Sequence, residues 1–242
     1  MEGIQIQDLT KVYKDIVAVD HLTLSIPKGE LFSLLGVNGA GKTTTIKMLS
    51  CLTEPTEGTA CLNGNSITRD PSAVKSIIAL SPQETAVAPG LSVYENLVLM
   101  WGLYGFPKAG REEKITQLVS SLGLESVIKK KAGKLSGGYQ RRLSIAMALI
   151  SEPEILFLDE PTLGLDVLAR SELWDLIRSL KGRVTIVLTT HYMEEAEALS
   201  DRVGIMKDGK LLICDTPANI KKLAGADRFE EAFVRIVKGV TQ

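Results

Sequence analysis

Along this chain the spacing of apolar residues switches repeatedly between the period of a strand and that of a helix. The chain alternates polar and apolar residues from Gly3 to Leu9, and 4–9, 22–26 and 31–35 are short β-rich runs, with Pro27-Lys28-Gly29 as a turn. A helical stretch over about 42–52 follows, then a small β segment at 58–62 before Asn63-Gly64. Asp70-Pro71 reads as an N-cap with proline at the first helical position. Residues 92–123 carry a helical pattern that opens on the capping box Ser92-Val93-Tyr94-Glu95, and another helix runs to about 150 from Gly138. Buried-type strands return at 155–158, 184–189 and 203–206, separated by helical stretches at 167–180 and 192–200.

Strands alternating with helices predict an α/β fold with a parallel sheet and right-handed crossovers. The all-helical block from about 84 to 150 interrupts that alternation and predicts an inserted subdomain, and the early strands predict an N-terminal antiparallel β subdomain. On this reading residues 1–242 are one domain. Its core covers about 1–83 and 151–215, and a short helical tail covers 216–242.

The polar residues of greatest chemical interest share one placement. Gly36 follows the run 31–35, Gln83 follows 77–80, Asp159 and Glu160 follow 155–158, and His191 follows 184–189. Open parallel sheets bind ligands outside the carboxyl ends of their strands, so polar groups delivered to one edge by four strands predict a nucleotide hydrolase. In the loop Gly36-Val37-Asn38-Gly39-Ala40-Gly41-Lys42-Thr43, glycines let the backbone wrap phosphate oxygens. Gly36, Asn38, Gly39, Gly41, Lys42, Thr43 and Thr44 are therefore the expected nucleotide contacts. Lys42 is expected to neutralise the β- and γ-phosphates, and the Thr43 hydroxyl to bind Mg²⁺. A merely flexible turn does not account for strand, loop, Lys-Thr and helix in this order. Asp159 ends an apolar strand and is the expected Mg²⁺ holder, with Glu160 orienting or deprotonating the attacking water. Adjacent acids at a strand end are ordinarily just solvated; four preceding apolar residues and the Pro161-Thr162 stop favour the site. His191, after Thr189-Thr190, is placed to contact the γ-phosphate and the water-side carboxylate, whereas His21 reads as structural or exposed. Gln83 is expected to touch Mg²⁺ and to hinge the helical block. Tyr13 either stacks on adenine, worth about 1–3 kcal/mol, or belongs to a minor core.

The hexapeptide Leu135-Ser136-Gly137-Gly138-Tyr139-Gln140 adds a second phosphate-binding helix start, since a serine and two glycines leave backbone N–H groups uncovered. Two such starts for one nucleotide suggest a site shared between two copies of the chain. With this hexapeptide, the loop at 36–43 and Asp159-Glu160, the chain resembles the ATP-binding subunits of ABC transporters over nearly its whole length. The resemblance implies a RecA-like P-loop NTPase core, ATP and Mg²⁺ as ligands, and Glu160 as catalytic base beside Lys42 and His191. It implies a head-to-tail dimer with a second copy or a paralogous ATP-binding subunit, in which Ser136, Gly137 and Gly138 meet the partner's nucleotide. It also implies an integral membrane permease subunit as partner and a peripheral place on the cytoplasmic face of the cell membrane. Gly164-Leu165-Asp166 resembles the family's dimer-contact loop, and Asp166 also suits the N-cap of the helix at 167. Tyr139 departs from the commonest family form while Ser136, Gly137 and Gly138 are intact. Arg141 and Arg142 are either surface charges or steady the interface.

Three segments look like the branch that exports antibiotics, polysaccharides and lipids: Glu54-Pro55-Thr56-Glu57-Gly58, His191-Tyr192-Met193-Glu194-Glu195-Ala196-Glu197 and Phe229-Glu230-Glu231-Ala232-Phe233. Sugar importers usually add a β-rich regulatory domain, for which the 27 residues after Asp215 leave no room. The rival reading is a soluble ABC-type ATPase of DNA repair, chromosome structure or the ribosome. Such proteins commonly carry two ATP-binding halves, coiled coils or zinc-binding insertions, and the sequence has none. A P-loop kinase or GTPase leaves Ser136-Gly137-Gly138 unexplained.

Composition narrows this little further. A net charge of −1 over 242 residues argues against a dedicated nucleic-acid binder. Cys51, Cys61 and Cys214 have no metal-like spacing and leave an odd number, which suits a reduced cytosolic setting. No apolar run approaches the ~18 residues that cross a bilayer, so a membrane part is expected on another chain. In the helix after Ser92, Val93, Leu97, Met100 and Tyr104 form one apolar row, and Tyr94, Val98 and Trp101 a second, with Phe106 just beyond. A helix apolar on two faces is either fully buried or docks a partner; interface-prone aromatics favour docking.

Overall fold

A computed structural model describes residues 2–239. In chain order its strands are β1 (Glu2–Tyr13), β2 (Ile16–Pro27), β3 (Leu31–Leu35), β4 (Glu57–Leu62), β5 (Asn65–Ser66), β6 (Ile78–Ser81), β7 (Ile155–Asp159), β8 (Thr185–Thr190), β9 (Arg202–Lys207) and β10 (Lys210–Asp215). Its helices are α1 (Lys42–Leu49), α2 (Pro71–Ile77), α3 (Val93–Leu103), α4 (Arg111–Ser121), α5 (Gly137–Leu149), α6 (Val167–Leu180), α7 (Met193–Leu199), α8 (Pro217–Leu223) and α9 (Phe229–Lys238). The last three residues of the expected tail, 240–242, lie outside the described residues.

Two sheets face each other across α1. The smaller is antiparallel, in the order β2-β1-β4-β5, and the larger runs β10-β9-β3-β8-β7-β6. Within the larger sheet β6 to β9 and β3 are parallel, and only β10 is antiparallel, against β9. β3, β7 and β8 are buried along their whole length, as expected of strands covered on both faces. Their residues divide with the period of two that a strand imposes. Ile155 and Phe157 of β7 join Ile4, Leu22, Ile46 and Leu49 between the sheets, while Leu156 and Leu158 face the helices. Each such large apolar side chain contributes roughly 1.5–3 kcal/mol on burial. A third cluster seats Phe229, Phe233 and Ile236 of α9 on Ala196, Val203 and Ile205, which holds the C-terminal helices against α7 and β9.

The helical block is α3, α4 and α5 with two short 3-10 turns between α4 and α5. The capping box forms as expected: the Ser92 hydroxyl accepts from Glu95 N at 3.2 Å, and Glu95 Oε2 accepts from Ser92 N at 2.7 Å. The helical pattern over 92–123 is broken, however, at a turn carrying Gly105 and Gly110 with φ of 70° and 80°. The helix expected to reach 52 stops at Leu49, and Cys51 takes φ of 55° in the turn after it. Asp70 occupies the N-cap of α2, but its side chain makes no capping bond there.

The two apolar rows of α3 do not divide as expected. Val93 and Leu97 are fully buried, but Tyr104 is 42% exposed. Tyr94, Val98 and Trp101 pack partly buried against the helical core. Tyr94 donates to Glu112 at 2.7 Å and Trp101 Nε1 to the Pro107 carbonyl at 2.8 Å, so both rings tie the block together. Among the described residues no helix is long and apolar enough to cross a membrane.

Candidate active site

β3, β6, β7 and β8 end at the same edge of the sheet, and their successor residues line a cavity of about 730 Å³. The loop after β3 is shaped by its glycines. A Cβ on Gly36 would lie 2.5 Å from the Met206 carbonyl oxygen, and one on Gly41, at φ of 101°, 2.4 Å from that of Ala18. Neither clash can relax, because both neighbours are backbone. Gly41 caps α1, and Asn38, Gly39, Thr43 and Thr44 border the cavity.

Lys42 is 4% exposed. Its ammonium donates to the carbonyls of Gly36 at 2.8 Å and Val37 at 3.2 Å and lies 3.6 Å from Glu160 Oε1. Burial pushes its pKa down, against the opposing pull of Glu160 and Asp159. Thr43 Oγ1 donates to Asp159 Oδ1 at 3.1 Å, and the hydroxyl of Thr189 donates to the same oxygen. The Asp159 carboxylate is thus held by one hydroxyl from α1 and one from β8.

Glu160 is 8% exposed and its carboxylate sits between two basic groups: Lys42 on one oxygen and His191 Nδ1, 3.1 Å from the other. Its backbone takes φ of 46°, the left-handed region, at a cost of about 1–2 kcal/mol for a residue with a Cβ. Its N–H donates to both Thr189 O and Thr189 Oγ1, at 3.1 Å each, which helps to hold that conformation. The His191 ring lies 4.1 Å from that of Tyr192, half-buried at the cavity wall. Gln83 and Tyr13 both border the cavity, and Tyr13 is 43% exposed, so it belongs to no minor core.

The structure therefore brings Tyr13, residues 38–44 of the loop, Gln83, Glu160 and His191 around one cavity, with Asp159 behind it, while Gly36 does not line it and meets Lys42 through its carbonyl. Ser136, Gly137 and Gly138 do not line it. Ser136 stands at the N-cap of α5 with no side-chain capping bond, and Ser136 and Gly137 are exposed. Asp166 does cap α6, accepting from Ala169 N at 2.9 Å, beside the exposed Val167 and Leu168. His21 is exposed, 3.8 Å from Asp20.

Several contributors escape a reading by motif. Thr189 anchors Asp159, and its only signal in the sequence is a hydroxyl ending an apolar run. Ile16, Val17, Leu163 and Asp208 also line the cavity. Arg141 is not a surface charge: it is 3% exposed and bonded to backbone, and burial lowers its pKa. Its helical spacing from the apolar Ile145 and Ala148 on α5 was the available clue. Arg142, by contrast, is partly exposed; it pairs with Glu172 and lies over the Tyr139 ring at 5.6 Å.

Comparison with known proteins agrees with this geometry. The family model described as ABC transporter matches residues 19–163. The daunorubicin/doxorubicin resistance ATP-binding protein DrrA of Streptomyces peucetius is 39% identical over 226 residues, covering 93% of this chain and 68% of that protein. The human phospholipid-transporting ATPase ABCA3 is 41% identical over 228 residues, 93% of this chain but 13% of that much longer protein. Among solved structures, an ATP-binding subunit of an ABC transporter superposes with a TM-score of 0.85 at 29% identity, covering 96% of this chain and 98% of that one. A dimeric, post-hydrolysis ATP-binding cassette bound to ADP and Pi superposes with a TM-score of 0.79 at 28% identity, covering 88% and 98%. A matched family model over more than half the chain, and a relative of this identity and coverage, show the family: the chain belongs to the ATP-binding subunits of ABC transporters and is an ATPase.

Proposed function

We propose that each ATP lies between the loop at 36–43 of one chain and the Ser136-Gly137-Gly138 helix start of a second copy or a paralogous ATP-binding subunit. Lys42 then exchanges the carbonyls of Gly36 and Val37 for the β- and γ-phosphate oxygens, and Tyr13 stacks on adenine at the rim. Glu160 orients the attacking water or takes its proton, with its second oxygen steadied by His191. The donors beside Glu160 fit Mg²⁺. Thr43 and Asp159 offer adjacent hard oxygens, few enough to leave places for phosphate and water, and Gln83 supplies a further amide oxygen. When bound, Mg²⁺ neutralises charge building on the phosphates. The opposing helix start meets the same charge with backbone N–H groups set in advance.

Nucleotide-driven closing of the pair passes work to an integral membrane permease subunit, with this chain peripheral on the cytoplasmic face, and the direction is export. The resistance named in the DrrA relative and the three exporter-like segments support that direction. Residues 1–242 act as one ATP-binding domain, with core at about 1–83 and 151–215 and helical insert at about 84–150, and no nucleic acid is needed as partner.

The observation that carries the reading is the buried Glu160 carboxylate between Lys42 and His191, while Ser136 and Gly137 of the same chain face solvent. Glu160→Gln is expected to keep ATP binding and cut turnover by roughly 10²–10⁴, the usual weight of a general base. It also removes a like charge from the γ-phosphate, so a dimer should persist with MgATP in size-exclusion chromatography. A strictly monomeric profile with wild-type turnover would refute both the base and the shared site.

A further inference from the structure

Arg141 is a charge buried for a purpose other than pairing. It stands one turn into α5, 3% exposed, with its guanidinium turned to three main-chain carbonyls. Nη1 donates to Pro82 at 2.6 Å, and Nη2 to Gln83 at 2.7 Å and Glu160 at 3.2 Å. Pro82 and Gln83 follow β6, and Glu160 follows β7, its parallel neighbour in the sheet. Negative charge nearby comes from Asp159 and Glu195, but the hydrogen bonds themselves go to backbone. A planar fork of fixed donors is suited to fixing the relative positions of several oxygens, which a single ammonium is not.

Glu160 needs such a fixture. Its left-handed backbone is held by Thr189 at the N–H, and at the carbonyl by Leu163 N at 3.2 Å and by Arg141. Loosening the carbonyl frees the rotation that swings the carboxylate away from Lys42 and His191. The same guanidinium holds Gln83, which follows the neighbouring strand β6, in register with it.

We propose that Arg141 is a positioning residue for ATP hydrolysis, clamping the chain segments at 82–83 and 160 together so that the Glu160 carboxylate stays aimed between Lys42 and His191. This rests on the reading of Glu160 as the base.

The test is a double-mutant cycle on the full chain, with steady-state ATPase rates, equilibrium binding of MgATP and thermal melts. Arg141→Lys keeps the charge and offers one head; Arg141→Met keeps the stem alone. Each is expected to lower kcat about 10- to 100-fold, as misplacement of a reacting group does, while KM and the dissociation constant of MgATP stay within about threefold. In a Glu160→Gln background the same substitutions should change the residual rate by less than about twofold, because aiming an absent base has no effect. A merely structural role predicts the same loss in both backgrounds and a matching fall in ATP binding. That outcome, or Arg141→Lys at wild-type kcat beside an inactive Glu160→Gln, overturns the proposal. Wild-type turnover in Glu160→Gln alone would instead remove the base on which it rests. Should Arg141→Met not fold, Arg141→Lys decides.

Discussion

The two glycine-bearing helix starts of this chain are built to different requirements. At the first, a Cβ on Gly36 or Gly41 would drive into backbone oxygens at 2.5 and 2.4 Å, and Lys42 is buried among groups of its own chain. At the second, a Cβ on Gly137 would find only the Leu165 side chain, at 3.5 Å, and Gly137 is exposed. The packing of this chain demands the first pair of glycines and leaves Gly137 free to be larger. The room left at Gly137 suits close approach of something from outside, and a partner's nucleotide is the proposed visitor. On the proposed shared site, one half is complete in the monomer, while the other is only offered.

The largest expected effect separates the two regions directly. Gly41→Ala should abolish nucleotide binding and lower the melting temperature, because its Cβ meets backbone and its φ of 101° strains any side chain. Ser136→Arg with Gly137→Asp should instead leave MgATP binding by the isolated chain and its melting temperature nearly unchanged. Its turnover should fall by at least about 10²-fold, the weight of lost preorganised donors. Isothermal titration with melts and ATPase rates gives both answers. Equal loss of ATP binding in the two variants would erase the distinction.

How far this division was legible varies with the physics of each segment. Runs buried on both faces read well: β3 and α6 fall at the expected residues, because an unbroken apolar run or a regular apolar stripe has sharp ends. The placement of the loop at 36–43 and of Asp159-Glu160 at one sheet edge was legible because each follows or ends a short apolar strand run. The edge strand β10 was missed although Leu211 to Cys214 are apolar, because the run is only four residues long and half-exposed at the sheet edge. The break between α3 and α4 was hidden because Gly105 and Gly110 lie inside an otherwise helical pattern, and only their left-handed backbone makes the turn. Arg141 was least legible. An arginine is usually solvated, and the three carbonyls that hold it come from residues 19 to 59 positions away.

A smaller effect probes the ground between the two regions. Glu195 of α7 is fully buried and accepts from Trp174 Nε1 of α6 at 3.1 Å, close to Thr162 and Thr190 behind the ends of β7 and β8. Burial raises its pKa above 4.5, outweighing the hydroxyls, Trp174 and Arg170, which favour the charged form. An acid whose folded pKa is raised contributes stability fully below its unfolded pKa, and that contribution is lost as pH rises through the folded value. Glu195→Gln removes this loss. The melting temperature of the variant relative to wild type should thus rise with pH from about 4.5 upward, by about 2–4 °C per kcal/mol in a chain of this size. A difference that is flat with pH would show that Glu195 is charged throughout and paired with the arginines.

The most direct test of the shared site mixes two inactive proteins. Lys42→Ala empties the first half-site, and Ser136→Arg with Gly137→Asp spoils only the second, so a mixed dimer retains one composite site with both halves intact. ATPase activity measured across a titration of one variant into the other should rise to a maximum that neither protein shows alone. Full activity in the pure Ser136→Arg, Gly137→Asp protein would contradict the account, since a site complete within one chain has no need of that helix start.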